Sequence, residues 1–277
     1  MLASIVSFLV FGLNLGIDFT GGSLMDVRFE ETVEIETVKS SIGALGQDAL
    51  VQVSDENGFI IRLGVIEEAE HDEILTALST LGTFEELRFE SIGPVIGDEL
   101  KRASFSAVVI LLILIVAYVG WAFRKVAEPV ASWKYGMLTI VAALHDVILP
   151  VGVFAVLGHV YGFQVDTAFV AALLTILGYS INDTIVIFDR TRENLTSHRH
   201  SDQSFGEIVN KSVVQSLARS INTSFTTLLV LVAIFLFGGE TTKPFILALI
   251  IGVVSGAYSS IFLASPLLVL WEKRGEK

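Results

Sequence analysis

The sequence predicts a polytopic α-helical membrane protein with six spans and a small α+β domain between the first span and the second. Three observations predict it. Hydrophobic residues fill 52% of the 277 positions, charged residues only 17%, and the mean hydropathy is +0.69, whereas a soluble domain carries roughly 25% charged residues. Several uninterrupted apolar runs approach the about 20 residues that a bilayer-crossing helix needs. The acidic excess behind the net charge of -12 sits mostly in one polar stretch, Asp26 to Glu99.

The apolar runs are Leu2 to Ile17, Ala103 to Phe123, Tyr135 to Leu157, Thr167 to Phe188, Val213 to Phe237 and Phe245 to Leu270. At about 1.5 Å per residue, the second to the sixth can each cross roughly 30 Å of hydrocarbon. The first is short. It opens at Met1 with no Lys or Arg before it and no clear small-residue cleavage site, so a shortened first span or a late start codon suits it better than a signal peptide. The expected division is a first span at 1–17, an exported domain with its connector at 18–102, five further spans at 103–271 and a tail at 272–277.

Basic residues in the short loops set the orientation. Arg124, Lys125 and Lys134 follow the second span, Arg190, Arg192, Arg199, Lys211 and Arg219 follow the fourth, and Lys273, Arg274 and Lys277 close the chain. The opposite loops, Gly158 to Asp166 and Gly238 to Pro244, carry Lys243 alone. Both termini are therefore expected in the cytoplasm and residues 18–102 outside.

That outer stretch reads strand (Ser23 to Glu30), helix (Val33 to Leu45), strand (Leu50 to Ser54), strand (Phe59 to Val65), helix (Glu67 to Leu81), strand (Phe84 to Ile92). Phe59, Ile61 and Leu63 alternate as a half-buried strand requires, and Asn57-Gly58 is a hairpin signal between the middle pair. The βαββαβ order points to a small ferredoxin-like domain. The stretch Pro94 to Arg102 leads into the second span with almost no flexible linker, so the domain is expected to be mechanically coupled to the membrane part.

The charge balance excludes nucleic acid, whose phosphates call for a basic face. The chain has no cysteine, hence no disulfide framework or thiolate metal site, and its five histidines show no metal-ligand spacing. No cofactor, metal centre or bond-making chemistry is expected.

The chemistry-bearing residues lie within the spans. Gly178 to Arg190, GYSINDTIVIFDR, sets Tyr179, Ser180, Asn182, Asp183 and Thr184 among apolar neighbours, an arrangement that should face a bundle interior or a wet cavity. Asp183 precedes Phe188 by five residues, which puts it about 7 to 8 Å inside the end of the helix. On the next, antiparallel span Arg219 falls at a matching depth, making Asp183 and Arg219 the expected pair. Burial opposes the carboxylate's charge and a guanidinium restores it, so its charge responds to where its neighbours stand. In the third span His145 and Asp146 lie near the middle, with Pro150 removing a backbone donor one turn on, so this helix is expected to be kinked and partly hydrated. An Asp at mid-bilayer costs roughly 2.5 to 3.5 kcal/mol. The plainer reading is that Asp183, Asn182, Thr184 and Asp146 are interhelical hydrogen-bond glue, His145 a local partner of Asp146, and Gly252, Ser255, Gly256, Ser259 and Ser260 a close-packing face. Gly12 to Gly22, GLNLGIDFTGG, with Asp18, reads locally as a turn into the outer domain.

Five segments together, GIDFTGG, SIGPVIGDEL, the HD pair at His145-Asp146, GYSINDTIVIFDRTREN and RSINTSFTT, resemble the SecF family almost from end to end. The resemblance implies one half of an RND-type assembly in the prokaryotic inner membrane, paired with SecD, assisting the SecYEG translocon in exporting unfolded polypeptide and coupled to protons. It carries the family's intramembrane carboxylate onto Asp183 and its basic partner onto Arg219, with Asp18 and Asp146 at recurrent acidic positions. The customary basic segment ahead of the first span is the one departure. Half of an RND exporter of lipids or small molecules, and a passive assembly subunit, are the competing readings; Asp18 to Arg102 is small for a substrate tunnel.

Overall fold

The computed structural model describes residues 1–54, 57–123, 132–197 and 203–275. Arg124, Lys125, Arg199 and Lys277, four of the residues used to orient the chain, lie outside them. The chain forms two units, Leu15–Phe105 and Met1–Asn14 with Ser106–Lys277.

The larger unit begins with α1 (Leu2–Phe11), a helix of 10 residues. Its length is set by Gly12, whose φ of 66° ends the helix. The first apolar run is therefore not one helix to Ile17: it breaks at Gly12, and a separate helical turn, α2 (Ile17–Thr20), follows in the smaller unit.

The smaller unit continues as β1 (Gly22–Phe29), α3 (Ile35–Gly43), β2 (Leu50–Val53), β3 (Gly58–Leu63), α4 (Glu68–Ser79) and β4 (Phe84–Ile92). All neighbouring strands are antiparallel, in the order β2-β3-β1-β4. Alternation drives the packing: Met25, Val27 and Phe29 of β1 and Phe59, Ile61 and Leu63 of β3 turn to one face. Val38 and Ile42 of α3 and Ile74 and Leu78 of α4, each pair one helical turn apart, close over that face. The β2-β3 hairpin exists, yet Gly58 is the first residue of β3 rather than a turn glycine. Asn57 instead accepts a hydrogen bond from Thr32 at 3.1 Å. Gly21 and Gly22, at φ 73° and 134°, turn the chain into β1, and a Cβ on Gly22 would stand 2.7 Å from the Leu63 carbonyl oxygen.

The remaining helices are α5 (Pro94–Ala122), α6 (Ser132–Tyr161), α7 (Thr167–Ser197), α8 (Phe205–Phe237), α9 (Lys243–Ser259) and α10 (Ser265–Gly275). A π-helical turn, Ser260–Ala264, joins the last two, so the sixth run is one long helix with an extra residue wound into it. Five helical segments, Pro94–Ala122, Trp133–Tyr161, Thr167–Ser197, Phe205–Phe237 and Lys243–Glu272, are long and apolar enough to cross a membrane. Leu2–Phe11 is apolar but too short to be counted with them. Ser204 and Glu207 start α8 with a capping box.

In this unit α7 packs against α6, α8 and α9, α6 also meets α9, and α1 lies along α6. Glycines permit the closest approaches: a Cβ on Gly152 would stand 2.2 Å from Ser4 Cβ, and one on Gly252 would stand 2.3 Å from Ile176 Cδ1. Phe123, Tyr135 and Phe188 close one end, with Tyr135 stacked on Phe123 at 5.3 Å and edge-on to Phe188 at 5.2 Å.

Because Ile176 fills the space over Gly252, Gly252→Val is expected to overpack the α7-α9 contact and destabilise the protein by about 1 to 3 kcal/mol. Gly178, on the same α7, has nothing within 4 Å of its would-be Cβ, so Gly178→Ala should leave stability unchanged or slightly raised. Thermal unfolding of the two variants in detergent checks this contrast; equal melting temperatures would contradict it.

Candidate functional site

Asp146 and Asp183 are both buried within the larger unit, at 0% and 5% exposure. Their surroundings differ sharply. Asp146, on α6, accepts on both oxygens: Oδ1 from His145 Nδ1 at 2.9 Å and Ser255 Oγ at 2.7 Å, and Oδ2 from Ser259 Oγ at 2.6 Å and from Ser180 Oγ. Four donors fill the about four lone-pair sites of an ionised carboxylate. They come from three helices, α6, α7 and α9. Pro150 adds a local effect, since it has no amide to offer the Asp146 carbonyl; the helix nevertheless continues through it.

Asp183, on α7, faces α8. Its Oδ2 is buried with no hydrogen-bond partner, and the same holds for the Ser220 and Ser224 hydroxyls of α8. Ser220 and Arg219 are its nearest polar influences, but among the described residues no ion pair within 4.0 Å joins Asp183 to Arg219. Register explains this. Asn194 donates to Ser212 Oγ at 2.8 Å and Gln215 Oε1 at 2.9 Å, and Tyr179 donates to Thr227 Oγ1 at 3.3 Å. Interpolating between these bonds sets Asp183 level with the turn of Ser220 and Thr223, and Arg219 about one turn nearer the α7 C-terminus. There Arg219 is exposed and lines a groove of about 240 Å³ with Asp189, Arg190, Glu193, Gln215 and Ser216.

The other expected residues separate by face. Thr184 is buried and shares a 2.8 Å hydrogen bond with Ser260. Asn182 is exposed on the outer side of α7, contrary to the expectation that all the polar residues of this span turn inward. Residues 180, 183, 184 and 187 fall on one helical face, and position 182 is rotated about 100° from 183. Asp18 lies in α2, in the smaller unit, half-buried.

The glycines of the sixth span do allow close packing, but Ser255 and Ser259 also donate to Asp146, a role the plain packing-face reading missed. Their spacing, one turn apart, puts both hydroxyls on one helical face, but nothing in it says which helix that face meets. No group of three or more His, Asp or Glu side chains able to hold a metal ion occurs among the described residues.

Membrane-length helices packed around two buried carboxylates, together with a separate α/β unit, define a polytopic membrane protein. The family described as "Protein export membrane protein SecD/SecF, C-terminal" matches residues 73–274, and the "SecD/SecF GG Motif" matches residues 6–33. The protein translocase subunit SecF of Thermobaculum terrenum is 45% identical over 97% of this chain and 88% of its own length. The protein translocase subunit SecDF of Thermus thermophilus is 37% identical over 99% of this chain, which spans only 37% of that longer protein. The crystal structure of SecDF from Thermus thermophilus, titled a translocon-associated membrane protein, superposes with a TM-score of 0.86 at 36% identity, again over 99% of this chain and 37% of that one. The chain belongs to the SecD/SecF family of protein export membrane proteins, on its SecF side.

A hydrogen bond to an ionised group stabilises by about 1.5 to 3 kcal/mol, so Ser255→Ala is expected to cost about that much by taking a donor from Asp146. Ser224→Ala removes a buried hydroxyl that has no partner and should be neutral or stabilising. Melting temperatures in detergent separate the two, and a larger loss for Ser224→Ala would refute this assignment of donors.

Proposed function

We propose that this SecF-type subunit uses the proton gradient to assist protein export, with Asp183 as the group that takes up and releases the proton and Arg219 as its charged counterpart. The observation that carries the proposal is Oδ2 of Asp183, a buried carboxylate oxygen without a well-aligned hydrogen bond, with the Ser220 hydroxyl in reach of the carboxylate. Such groups call for water or a proton. Arg219, one turn away and in a groove, is close enough for its charge to act on Asp183 and far enough for helix movement to change that effect.

Protonation removes the charge that attracts Arg219; release of the proton restores it. The potential contributes roughly 2.3 kcal/mol per proton for each 100 mV, enough to bias a two-state helix arrangement. In this reading residues 18–102 form an exported ferredoxin-like domain, supported by the strand order β2-β3-β1-β4, that binds and releases emerging polypeptide. The membrane part is an RND-type half of six helices, with α1 added to the five membrane-length ones, in the prokaryotic inner membrane with both termini cytoplasmic. SecD is the partner, which the joined SecDF relative supports, and the complex works beside SecYEG. The domains are 1–17, 18–102, 103–271 and 272–277. Asn182, exposed on α7, faces outward toward lipid or that partner. Asp18 in α2 supports the turn into the outer domain. The subunit's work is binding and release, with no covalent step, and it engages no nucleic acid. An exporter of lipids or small molecules is disfavoured because the relatives are named as translocase subunits.

The deciding experiment is gradient-driven export by membrane vesicles containing the full complex with Asp183→Asn. A loss of at least about tenfold, equivalent to ~1.4 kcal/mol, is expected at normal expression. Undiminished export at normal expression would eliminate the proton-relay role.

A further inference from the structure

We propose that Asp146 is a positioning residue for Asp183: through Ser180 it fixes the rotation and register of α7, so that Asp183 is held toward α8. The proposal rests on the reading of Asp183 as the proton-carrying group, and it gives the second buried carboxylate a different task. Ser180 and Thr184 flank Asp183 on α7, three residues before it and one after it. Both are bonded away from α8. Ser180 Oγ donates to Asp146, and Thr184 Oγ1 meets Ser260 Oγ at 2.8 Å. Ser260 Oγ in turn donates to the Ser180 carbonyl at 3.5 Å, so the same turn of α7 is held through side chain and backbone.

The geometry of α9 serves this hold. A Cβ on Gly256 would stand 2.9 Å from Ser180 Cβ, so the glycine lets α7 approach until its serine reaches Asp146. The π-helical turn at Ser260–Ala264 begins where this contact ends, and Ser265 Oγ donates back to the Ser260 carbonyl at 2.9 Å. Adjacent residues of a helix point about 100° apart. Here Ser259 turns to Asp146 and Ser260 to α7.

All four donors already point at the oxygens of Asp146, and it is 0% exposed, so its bonding capacity is taken up in holding the helices. The charged group acting on Asp183 is Arg219 from α8; from α6, Asp146 and His145 reach the same turn of α7 through Ser180. From α9 and the π turn come hydroxyls, and Tyr258 stacks on His145 at 6.3 Å with its side chain exposed. Turning α7 would alter the distance from Asp183 to Arg219, which makes the proton affinity of Asp183 a quantity that Asp146 controls.

The test is carbodiimide labelling of buried protonated carboxyls in membranes holding the full complex, across a pH series, with labelled sites mapped by mass spectrometry. The wild type should label at Asp183 and spare Asp146. Asp146→Asn and Ser180→Ala should each displace the pH midpoint for Asp183 by about half a unit or more. The double variant should move it no further than the larger single change, because both act through one bond. Labelling of Asp146 as readily as Asp183 would overturn the proposal, as would a midpoint that neither variant moves. Ser180→Ala keeps the test decisive if Asp146→Asn fails to fold. A displaced midpoint in a protein whose Asp183→Asn form still exports normally would leave the positioning role standing and defeat the relay.

Discussion

An ionised carboxylate inside a helix bundle must be surrounded by donors or it drives the bundle apart, and the way Asp146 meets that requirement organises the larger unit. Its donors come from α6, α7 and α9, so these helices can satisfy it only at one mutual register. The features around it serve that convergence. Gly252 and Gly256 let α7 close on α9, and the adjacent Ser259 and Ser260, about 100° apart around the helix, face different neighbours. Lipid supplies no hydrophobic drive between helices, so packing and interhelical hydrogen bonds carry more of the association than they would in water.

The α7-α8 interface is built on the opposite plan. Bonds tie its two ends, Asn194 to Ser212 and Gln215, and Tyr179 to Thr227. Between them Asp183 Oδ2, Ser220 Oγ and Ser224 Oγ are buried without partners. An interface with unmet hydrogen-bonding capacity has less to lose on shifting than one whose groups are all paired. Two carboxylates on neighbouring helices thus differ in kind: one is fully bonded among three helices, and the other keeps a buried oxygen without a well-aligned partner.

Much of this was legible in the sequence, and the limits are physical. Apolar runs and period-two alternation reveal the long helices and the order of the α/β elements because burial acts on each element separately. Partners drawn from several helices were not legible. Nothing local in Ser255 or Ser259 distinguishes a donor to Asp146 from a packing residue, since the acceptor is more than a hundred positions away. Depth counted from helix ends aligned Asp183 with Arg219, but helices α7 and α8 run well past the apolar runs, and the bonds between them offset the pair by about one turn. The first run concealed a break because a glycine's φ is a property of the folded turn rather than of hydropathy.

That offset bears on how charge and motion can be linked. A tight Asp183-Arg219 ion pair would be costly to break and would resist protonation, whereas a guanidinium one turn away biases the carboxylate without trapping it. For such a bias to depend on helix position, one helix must stay still while the other shifts. The bonding pattern suggests which: α7 is bonded at Ser180 to α6 and at Thr184 to the π turn, on either side of Asp183, while the hydrogen bonds from α7 to the helix of Arg219 fall above and below that level, at Tyr179 and Asn194. In the proposed relay, movement of α8 would change the electrostatic surroundings of Asp183 while the carboxylate itself stays in place, and by linkage a change in the charge of Asp183 would alter the preferred position of α8 by the same free energy.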